Sequence, residues 1–223
     1  MIVEICAYNI QSCLIAENAK ADRIEFCANP TLGGTTPNLF ALKYTLEKLN
    51  IPVFPIIRPR GGNFVFTAIE LEQMEQDILF CKQIGCKGIS TGIALQNNKL
   101  DIIKMKYFVS IAYPMQVSCH KVFDGVPDMY EATEGLIAAG VSRILTSGLA
   151  IDAVAGIDNI KNLIVKYDDK IIIMPGGGVR AANIDKLVSQ TGAKEYHSSG
   201  IVTSDTNFIA DENEIRNIKL RLH

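Results

Sequence analysis

The 223-residue sequence has no tryptophan, only three histidines and no excess of positive charge, since 22 Lys and Arg residues face 24 Asp and Glu residues. A chain with a formal charge of −2 lacks the basic surface that attracts nucleic-acid phosphates, so no nucleic-acid partner is expected. Its apolar runs are far shorter than the ~18 residues of a membrane span, so no membrane partner is expected either. The first residues, Met1-Ile-Val-Glu, show no basic segment and no cleavage site, which predicts a cytoplasmic protein.

The cysteines form no C-x-x-C pair, and in a reducing compartment we expect them to be free thiols rather than disulfides. There are six of them: Cys6, Cys13, Cys27, Cys81, Cys86 and Cys119. Apolar residues make up 48% of the chain and charged residues 21%, which is the composition of a folded protein. Because no low-complexity tract or linker interrupts the sequence, we expect a single domain over residues 1–223.

Short β-branched segments alternate with helical segments along the whole chain. Eight strands are predicted, at Ile2–Ala7, Arg23–Ala28, Val53–Arg58, Gly88–Thr91, Met115–His120, Arg143–Ser147, Lys170–Met174 and Lys194–Ser198. Helices are predicted near 10–19, 37–48, 67–84, 101–111, 127–139, 156–166, 180–190 and 211–220. Such an unbroken alternation is typical of parallel β-α-β units with right-handed crossovers.

A weak internal repeat accompanies every second strand. It reads AKADRIEF, IGCKGIST, AGVSRILT and TGAKEYHS at strands two, four, six and eight, and in three of the four a glycine ends the preceding helix. Eight units of about 28 residues suit a closed (β/α)8 TIM barrel, an α/β fold. The alternative is an open, doubly wound sheet, but the regularity of the units favours the barrel.

Alternation along the first two strands places the same two residue types inside the barrel. If their apolar neighbours face the helices, Glu4 and Cys6 face inward, and the second strand repeats the pattern with Glu25 and Cys27. Neighbouring strands lie about 4.8 Å apart, so the two thiols, and likewise the two carboxylates, are expected to lie close together. Like charges at that distance raise the pKa of one carboxyl group and call for cationic partners.

The expected partners of these carboxylates come from strands three, five and eight. Strand three ends in Arg58-Pro-Arg60, and strand five ends in His120-Lys121. We expect Arg58 or Lys121 to contact at least one of the two glutamates, and His120 or His197 to lie within hydrogen-bonding distance of them. Since strand eight closes against strand one in a barrel, His197 should lie beside the glutamate and the thiol of strand one.

Residues suited to bind an anion are expected at the mouth of the barrel, where the carboxyl ends of the strands meet. Two arginines in one Arg-Pro-Arg-Gly-Gly run are costly to place there without an anionic partner. Glycine-rich turns follow strands seven and eight, where barrels often bind phosphate. The predicted anion-binding residues are Arg58, Arg60, Ser147, Gly177, Gly178 and Ser199, and we expect Arg58, Arg60 and the backbone at Gly177 and Ser199 to line one cavity.

In these residues the sequence resembles the copper homeostasis protein CutC family, from Met1 to about Gly200. The resemblance is carried by Val3–Cys6, Ala21–Cys27, Gly33–Pro37, Ile57–Phe64, Leu145–Gly148 and Met174–Gly178, with Glu70, Met74, Asp77, His120, Phe123, Asp124, His197 and Ser199. It implies a cytoplasmic TIM barrel that forms a homo-oligomer, a dimer or tetramer, and that is linked to copper tolerance and Cu(I) binding. The chain departs from the family pattern at Asn63, where Asp is usual, and at Lys121, where Arg is usual.

Two functions follow from these residues. In the first, Cys6 and Cys27 are the metal ligands of a soft Cu(I) site, with His197 nearby, because thiolate and imidazole suit that ion. In the second, the chain is an enzyme, a lyase, isomerase or hydrolase, that acts on a small anionic or phosphorylated metabolite at the barrel mouth. Its candidate catalytic residues are Glu4, Glu25, His120, Lys121, Asp124 and His197. No motif for an organic cofactor is evident.

Overall fold

Eight parallel strands follow one another around a barrel in the order in which they occur in the chain. We describe a computed structural model, which covers residues 1–202 and 207–222. The strands are β1 (Ile2–Ala7), β2 (Arg23–Phe26), β3 (Val53–Ile57), β4 (Gly88–Thr91), β5 (Gln116–Cys119), β6 (Arg143–Thr146), β7 (Ile172–Pro175) and β8 (Glu195–Ser198). This sequential order confirms the TIM barrel and excludes the open, doubly wound sheet.

Backbone pairing runs from β7 through β6, β5, β4, β3, β2 and β1 to β8. The two ends of this order also face each other, since a methyl group added at Gly176, just after β7, would lie 3.1 Å from the Cβ atom of His197 on β8. The barrel is therefore nearly closed.

A helix follows every strand on the outside of the barrel. The helices are α1 (Ile10–Asn18), α2 (Leu39–Lys48), α3 (Ala68–Gln83), α4 (Ile102–Ala112), α5 (Met129–Ala139), α6 (Ile157–Tyr167), α7 (Ile184–Thr191) and α8 (Glu212–Arg221). Most of them begin at a polar residue whose side chain accepts a backbone hydrogen bond of the first turn, as Thr67 does with a reciprocal bond from Glu70. Two short 3-10 helices, Pro30–Leu32 and Lys121–Gly125, lie in the loops after β2 and β5.

Several strands end earlier than predicted, because their last expected residues already belong to the loops at the barrel mouth. Ala28 forms an isolated antiparallel bridge with Thr35, and the backbone N–H of Arg58 donates to the hydroxyl of Thr36. The side chain of His120 caps the 3-10 helix after β5. Residues that the sequence places at strand ends are thus held by the loops that shape the mouth.

The alternation predicted for β1 and β2 is confirmed. Val3, Ile5, Ile24 and Phe26 belong to the apolar layer between the strands and the helices. Cys6 and Cys27 instead form a small separate cluster inside the barrel with Ile56. Glu4 and Glu25 are also buried inside.

An ion cluster fills the lower part of the barrel, towards the amino ends of the strands. Arg23 donates from Nε to Glu4 and from Nη2 to Glu195 Oε2 at 2.5 Å. Arg143 donates from Nε to the same Glu195 oxygen at 3.2 Å. Both guanidinium groups lie over the ring of Phe54, each 5.2 Å from its centroid. Two buried cations thus balance two buried carboxylates.

The prediction that Arg58 or Lys121 is the cationic partner of the two buried glutamates was wrong. Within the described residues, neither Arg58 nor Lys121 forms an ion pair with Glu4 or Glu25; the ion-pair partner of Glu4 on the second strand is Arg23. Because Arg23 shares the inward parity of Glu25, the alternation itself could have identified it. The expected histidine is present, since His197 Nδ1 lies 2.8 Å from Glu4 Oε1.

Replacing Arg23 with Met would leave Glu4 buried without its guanidinium partner. We expect Arg23→Met to lower the free energy of unfolding by about 3–5 kcal/mol. The matched control is Lys99→Met, which removes the exposed ion pair with Glu131 and should cost at most about 1 kcal/mol. Urea denaturation followed by circular dichroism measures both, and equal losses in the two variants would contradict the role given to Arg23.

Gly88 leaves space inside the barrel for the ring of Phe54. A methyl group at Gly88 would lie 2.3 Å from two ring carbons of Phe54. We therefore expect Gly88→Ala to lower the free energy of unfolding by about 1–3 kcal/mol through overpacking. Gly125→Ala, where the added methyl group meets nothing within 4 Å, is the control and should change stability little. A neutral Gly88→Ala would show that the ring of Phe54 can move aside.

Candidate metal and ligand site at the barrel mouth

A cavity of about 100 Å³ lies at the carboxyl ends of the strands, above the ion cluster. Five of its lining residues, Cys6, Cys27, Glu25, His197 and Tyr8, are here called the thiol wall. Four others, Arg58, His120, Lys121 and Phe64, are here called the donor wall. Gly33, Ile56 and Leu145 complete the lining.

The two thiols of the thiol wall lie side by side, as predicted. Cys6 Sγ is 3.7 Å from Cys27 Sγ, and Cys27 Sγ is 3.6 Å from Glu25 Oε2. The two sulfur atoms and a carboxylate oxygen of Glu25 all lie within 4.8 Å of one another. This closeness follows from the register, because Cys6 on β1 is paired with Glu25 on β2.

The pKa values of the two thiols are shifted in opposite directions. A hydrogen bond with Cys27, opposed by burial and reinforced by His197, places the pKa of Cys6 well below its usual range. Burial and the hydrogen bond with Cys6 raise the pKa of Cys27 well above its usual range. Cys6 is therefore the more acidic thiol of the pair, and the two groups titrate as a coupled unit.

His197 joins the thiol wall to the ion cluster below. Burial lowers its pKa, but the hydrogen bonds with Cys6 and Glu4 and the nearby carboxyl groups outweigh burial and hold the pKa well above 6.5. Burial would also raise the pKa of Glu4, but the charge of Arg23 and the hydrogen bond with His197 lower it to about 2. The surroundings of His197, between Cys6 and the carboxylate of Glu4, thus favour its protonated form.

Glu25 differs from Glu4 in having no arginine partner. Burial and the negative charge of Cys6 raise the pKa of Glu25 to about 8. Its nearest cationic atom is His197 Nε2, at 3.8 Å, and its Oε1 atom is buried without a hydrogen-bond partner among the described residues. At neutral pH Glu25 is therefore a protonated acid in the cavity wall.

Arg58 is buried on the donor wall, and its charge is not paired with a carboxylate in the described part of the chain. Its Nη1 atom donates to the carbonyl oxygens of Leu32 and Gly34, both at 2.8 Å, and Nη2 donates to that of Gly62 at 2.7 Å. The Nε atom is buried and has no hydrogen-bond partner among residues 1–202 and 207–222. The guanidinium thus holds two mouth loops in place and keeps one donor unused.

His120 lies beside Arg58 on the donor wall. Its Nδ1 atom accepts a hydrogen bond from the backbone N–H of Val122 at 3.2 Å, while Nε2 is buried and has no partner in the part of the chain that the structure describes. Burial and the charge of Arg58 lower the pKa of His120 to about 3, so the ring is neutral. Because Nδ1 accepts, the ring proton is on Nε2.

Other predicted site residues lie outside the cavity. Arg60 is bound to Glu70 at 2.5 Å and to loop carbonyl groups, and Ser147 is bound to Asp124. Gly177 packs against the Lys121 side chain and, like Gly178, does not line the cavity. Ser199 lines a neighbouring groove with Arg180. Of the four residues expected to share one cavity, only Arg58 lines this one.

Asp124 and Lys121 have different positions. The carboxylate of Asp124 accepts hydrogen bonds from Thr146, Ser147 and Leu149, so it fixes the loop after β6. Lys121 lines the cavity with a half-exposed side chain, and its Nζ atom lies 3.9 Å from Asp124. Its charge is therefore available at the cavity rim.

Sequence reasoning missed Tyr8, Phe64 and Leu145 as cavity residues. Tyr8 continues the inward alternation of Glu4 and Cys6, so that pattern could have identified it. Phe64 lies in a loop beyond β3, where no periodicity applies.

No helix in the described ranges is long and apolar enough to cross a membrane.

The sequence pattern of the CutC family matches residues 1–202. A protein described as "family protein CutC" from Parabacteroides distasonis is 44% identical over 201 residues, which cover 89% of this chain and 82% of that protein. The human protein described as "Copper homeostasis protein cutC homolog" is 37% identical over 205 residues, 92% of this chain and 75% of the human one.

Solved structures agree with this relationship. A CutC protein from Streptococcus agalactiae has a TM-score of 0.85 at 33% identity, over 89% of this chain and 98% of that one. Phosphoribosylanthranilate isomerase from Thermotoga maritima has a TM-score of 0.64 at 17% identity over 100% of this chain and 98% of its own, which shows a shared fold alone. The match over residues 1–202 and the identities to the relatives show that the chain belongs to the CutC family.

Proposed function

We propose that the chain binds Cu(I) through Cys6 and Cys27 and takes part in copper tolerance. The observation that carries this proposal is the pair of buried thiols 3.7 Å apart, and the lowered pKa of Cys6 favours its thiolate form. Soft thiolate ligands select Cu(I), whereas the carboxyl group of Glu25 suits harder ions. The description of the human relative as a copper homeostasis protein supports the same role.

The other thiols provide a built-in comparison for this proposal. Cys81 and Cys86 are also buried and close enough to each other to be hydrogen-bonded, but they lie at the end of α3 and just beyond it, and no carboxylate joins them in a metal-type cluster within the described residues. A site that needed only two neighbouring thiols would form at either pair. The proposal assigns the ion to the pair at the cavity.

We expect Cys6→Ala/Cys27→Ala to lose the tightly bound Cu(I) equivalent, because both soft ligands are removed. Anaerobic competition with a coloured Cu(I) chelator measures the bound equivalent. The control is Cys81→Ala/Cys86→Ala, which should retain it. Binding that survives in the first variant, or that disappears only in the second, would contradict the assignment to Cys6 and Cys27.

The cellular setting belongs to the same proposal. A cytoplasmic location would keep the six cysteines reduced, which a thiolate site requires. A homo-oligomer, a dimer or tetramer, is proposed from the family resemblance, and light scattering of the purified protein measures it.

A second candidate function is an enzyme that acts on a small anionic or phosphorylated metabolite. The observation that favours it is Glu25, a buried acid whose free Oε1 atom lies in the wall of a mouth cavity. His120, Lys121 and His197 line the same cavity. Glu4 would then act as a positioning residue through His197, and Asp124 through the loop after β6. General acid or base chemistry of the lyase, isomerase or hydrolase type suits such a set.

The enzyme proposal is tested by incubating the protein with a panel of small organic acids and sugar phosphates and following each compound by NMR. We expect one compound to be converted, and Glu25→Gln to slow its conversion by about 100-fold or more. Glu72→Gln, an exposed change on α3, is the control and should leave the rate unchanged. Conversion of no compound, or an equal rate in Glu25→Gln, would reject this function.

A further inference from the structure

Buried polar atoms without partners are concentrated at the mouth cavity. Among the described residues six buried side-chain N or O atoms have no hydrogen-bond partner, and three of them, Glu25 Oε1, Arg58 Nε and His120 Nε2, belong to residues that line this one cavity. Each such atom carries the desolvation cost of an unmade hydrogen bond when nothing binds it. A ligand that engaged all three atoms would recover that cost.

The donor wall offers two hydrogen-bond donors of fixed direction. Arg58 Nε always carries its hydrogen, and the other guanidinium nitrogens are held by loop carbonyl groups. His120 Nε2 carries the ring hydrogen because Nδ1 accepts from Val122. Phe64 holds the two groups together, with its ring centroid 4.6 Å from Arg58 Cζ and 4.9 Å from the imidazole centroid.

The charge of this wall selects a monoanion. Arg58 is only 4% exposed and is paired with no carboxylate in the described part of the chain, so it is a buried cation without a counterion. His120 is neutral, and Lys121 lies half-exposed at the rim. One buried positive charge and two donors match the single charge and the two oxygen atoms of a carboxylate.

The size and the lining of the cavity restrict the class of ligand further. The cavity volume of about 100 Å³ is small beside the roughly 300–1,000 Å³ of pockets for drug-sized ligands. The glycine-rich turn after β7, which would offer backbone N–H groups to a phosphate, does not line this cavity. The third atom, Oε1, belongs to Glu25, which lines the same cavity, and a second polar group on the ligand would give it a partner. A hydroxyl group can donate or accept, so it satisfies a carboxyl group in either protonation state.

We infer that the mouth cavity binds a short 2-hydroxy monocarboxylate, whose carboxylate accepts hydrogen bonds from Arg58 Nε and His120 Nε2 and whose hydroxyl group contacts Glu25 Oε1. This inference deepens the enzyme proposal by naming its ligand class, and it does not depend on copper. The ligand lies against the thiol wall, beside Cys6 and Cys27.

Direct binding of lactate to the protein, measured by calorimetry and by ligand-observed NMR, tests the inference. We expect lactate to bind more tightly than propionate, which lacks the hydroxyl group, by about twofold to tenfold, and more tightly than inorganic phosphate. Arg58→Gln and His120→Phe should each weaken lactate binding about tenfold or more. The control Arg216→Gln, an exposed residue paired with Glu212, should leave it unchanged.

The results of these measurements distinguish failure of the lactate-binding inference from failure of the enzyme proposal. No binding of lactate to the wild type, tighter binding of phosphate, or unchanged binding in both cavity variants would overturn the inference. Because Arg58 also holds the mouth loops, a crystal of the wild type soaked in lactate provides a readout without substitution, and density for the carboxylate away from Arg58 and His120 would also overturn it. Lactate binding without conversion of any 2-hydroxy acid would reject the enzyme proposal while leaving the binding site intact.

Discussion

The buried ion pair between Arg23 and Glu4 is the interaction on which the chemistry of the barrel depends. Arg23 compensates Glu4, and the second carboxylate oxygen of Glu4 is then free to hold His197 at 2.8 Å. The hydrogen bond and the charge of His197 in turn lower the pKa of Cys6. A buried carboxylate without its cation would cost several kcal/mol, so the mouth site could not keep its charges without the ion cluster below it.

Charge accounting explains why the interior tolerates so many ionised groups. Three acidic groups, Glu4, Glu195 and Cys6, lie beside three basic ones, Arg23, Arg143 and His197. Neither of the two cluster arginines forms an ion pair with Glu25 among the described residues. Glu25 stays protonated at neutral pH because its pKa is raised to about 8. The two glutamates, Glu4 on β1 and Glu25 on β2, therefore have opposite protonation states, which their surroundings determine.

The sequence was sufficient to predict the barrel, the inward faces of β1 and β2 and the closeness of Cys6 to Cys27, because these depend on a period of two along strands whose outer face is covered by helices. It was not sufficient for Arg58. Its guanidinium is captured by carbonyl groups of Leu32, Gly34 and Gly62, and backbone acceptors in loops leave no signal in residue types. Arg23 was predictable from the alternation along β2, because it shares the inward face of Glu25. It lies at the start of that strand, however, whereas the functional residues were expected at the barrel mouth, where the strands end.

The two walls of the cavity have different electrostatic requirements, and the two proposed functions meet there. The thiol wall sets the acidic thiol of Cys6 beside the basic ring of His197, whereas the donor wall holds the charge of Arg58, which no carboxylate of the described residues pairs. Two thiolates around one Cu(I) ion would carry a net charge of −1, which Arg58 in the lining of the same cavity could compensate. A bound carboxylate would compensate the same arginine directly. Cu(I) and a carboxylate therefore compete for one positive charge even though they bind different atoms, so each ligand should weaken the other.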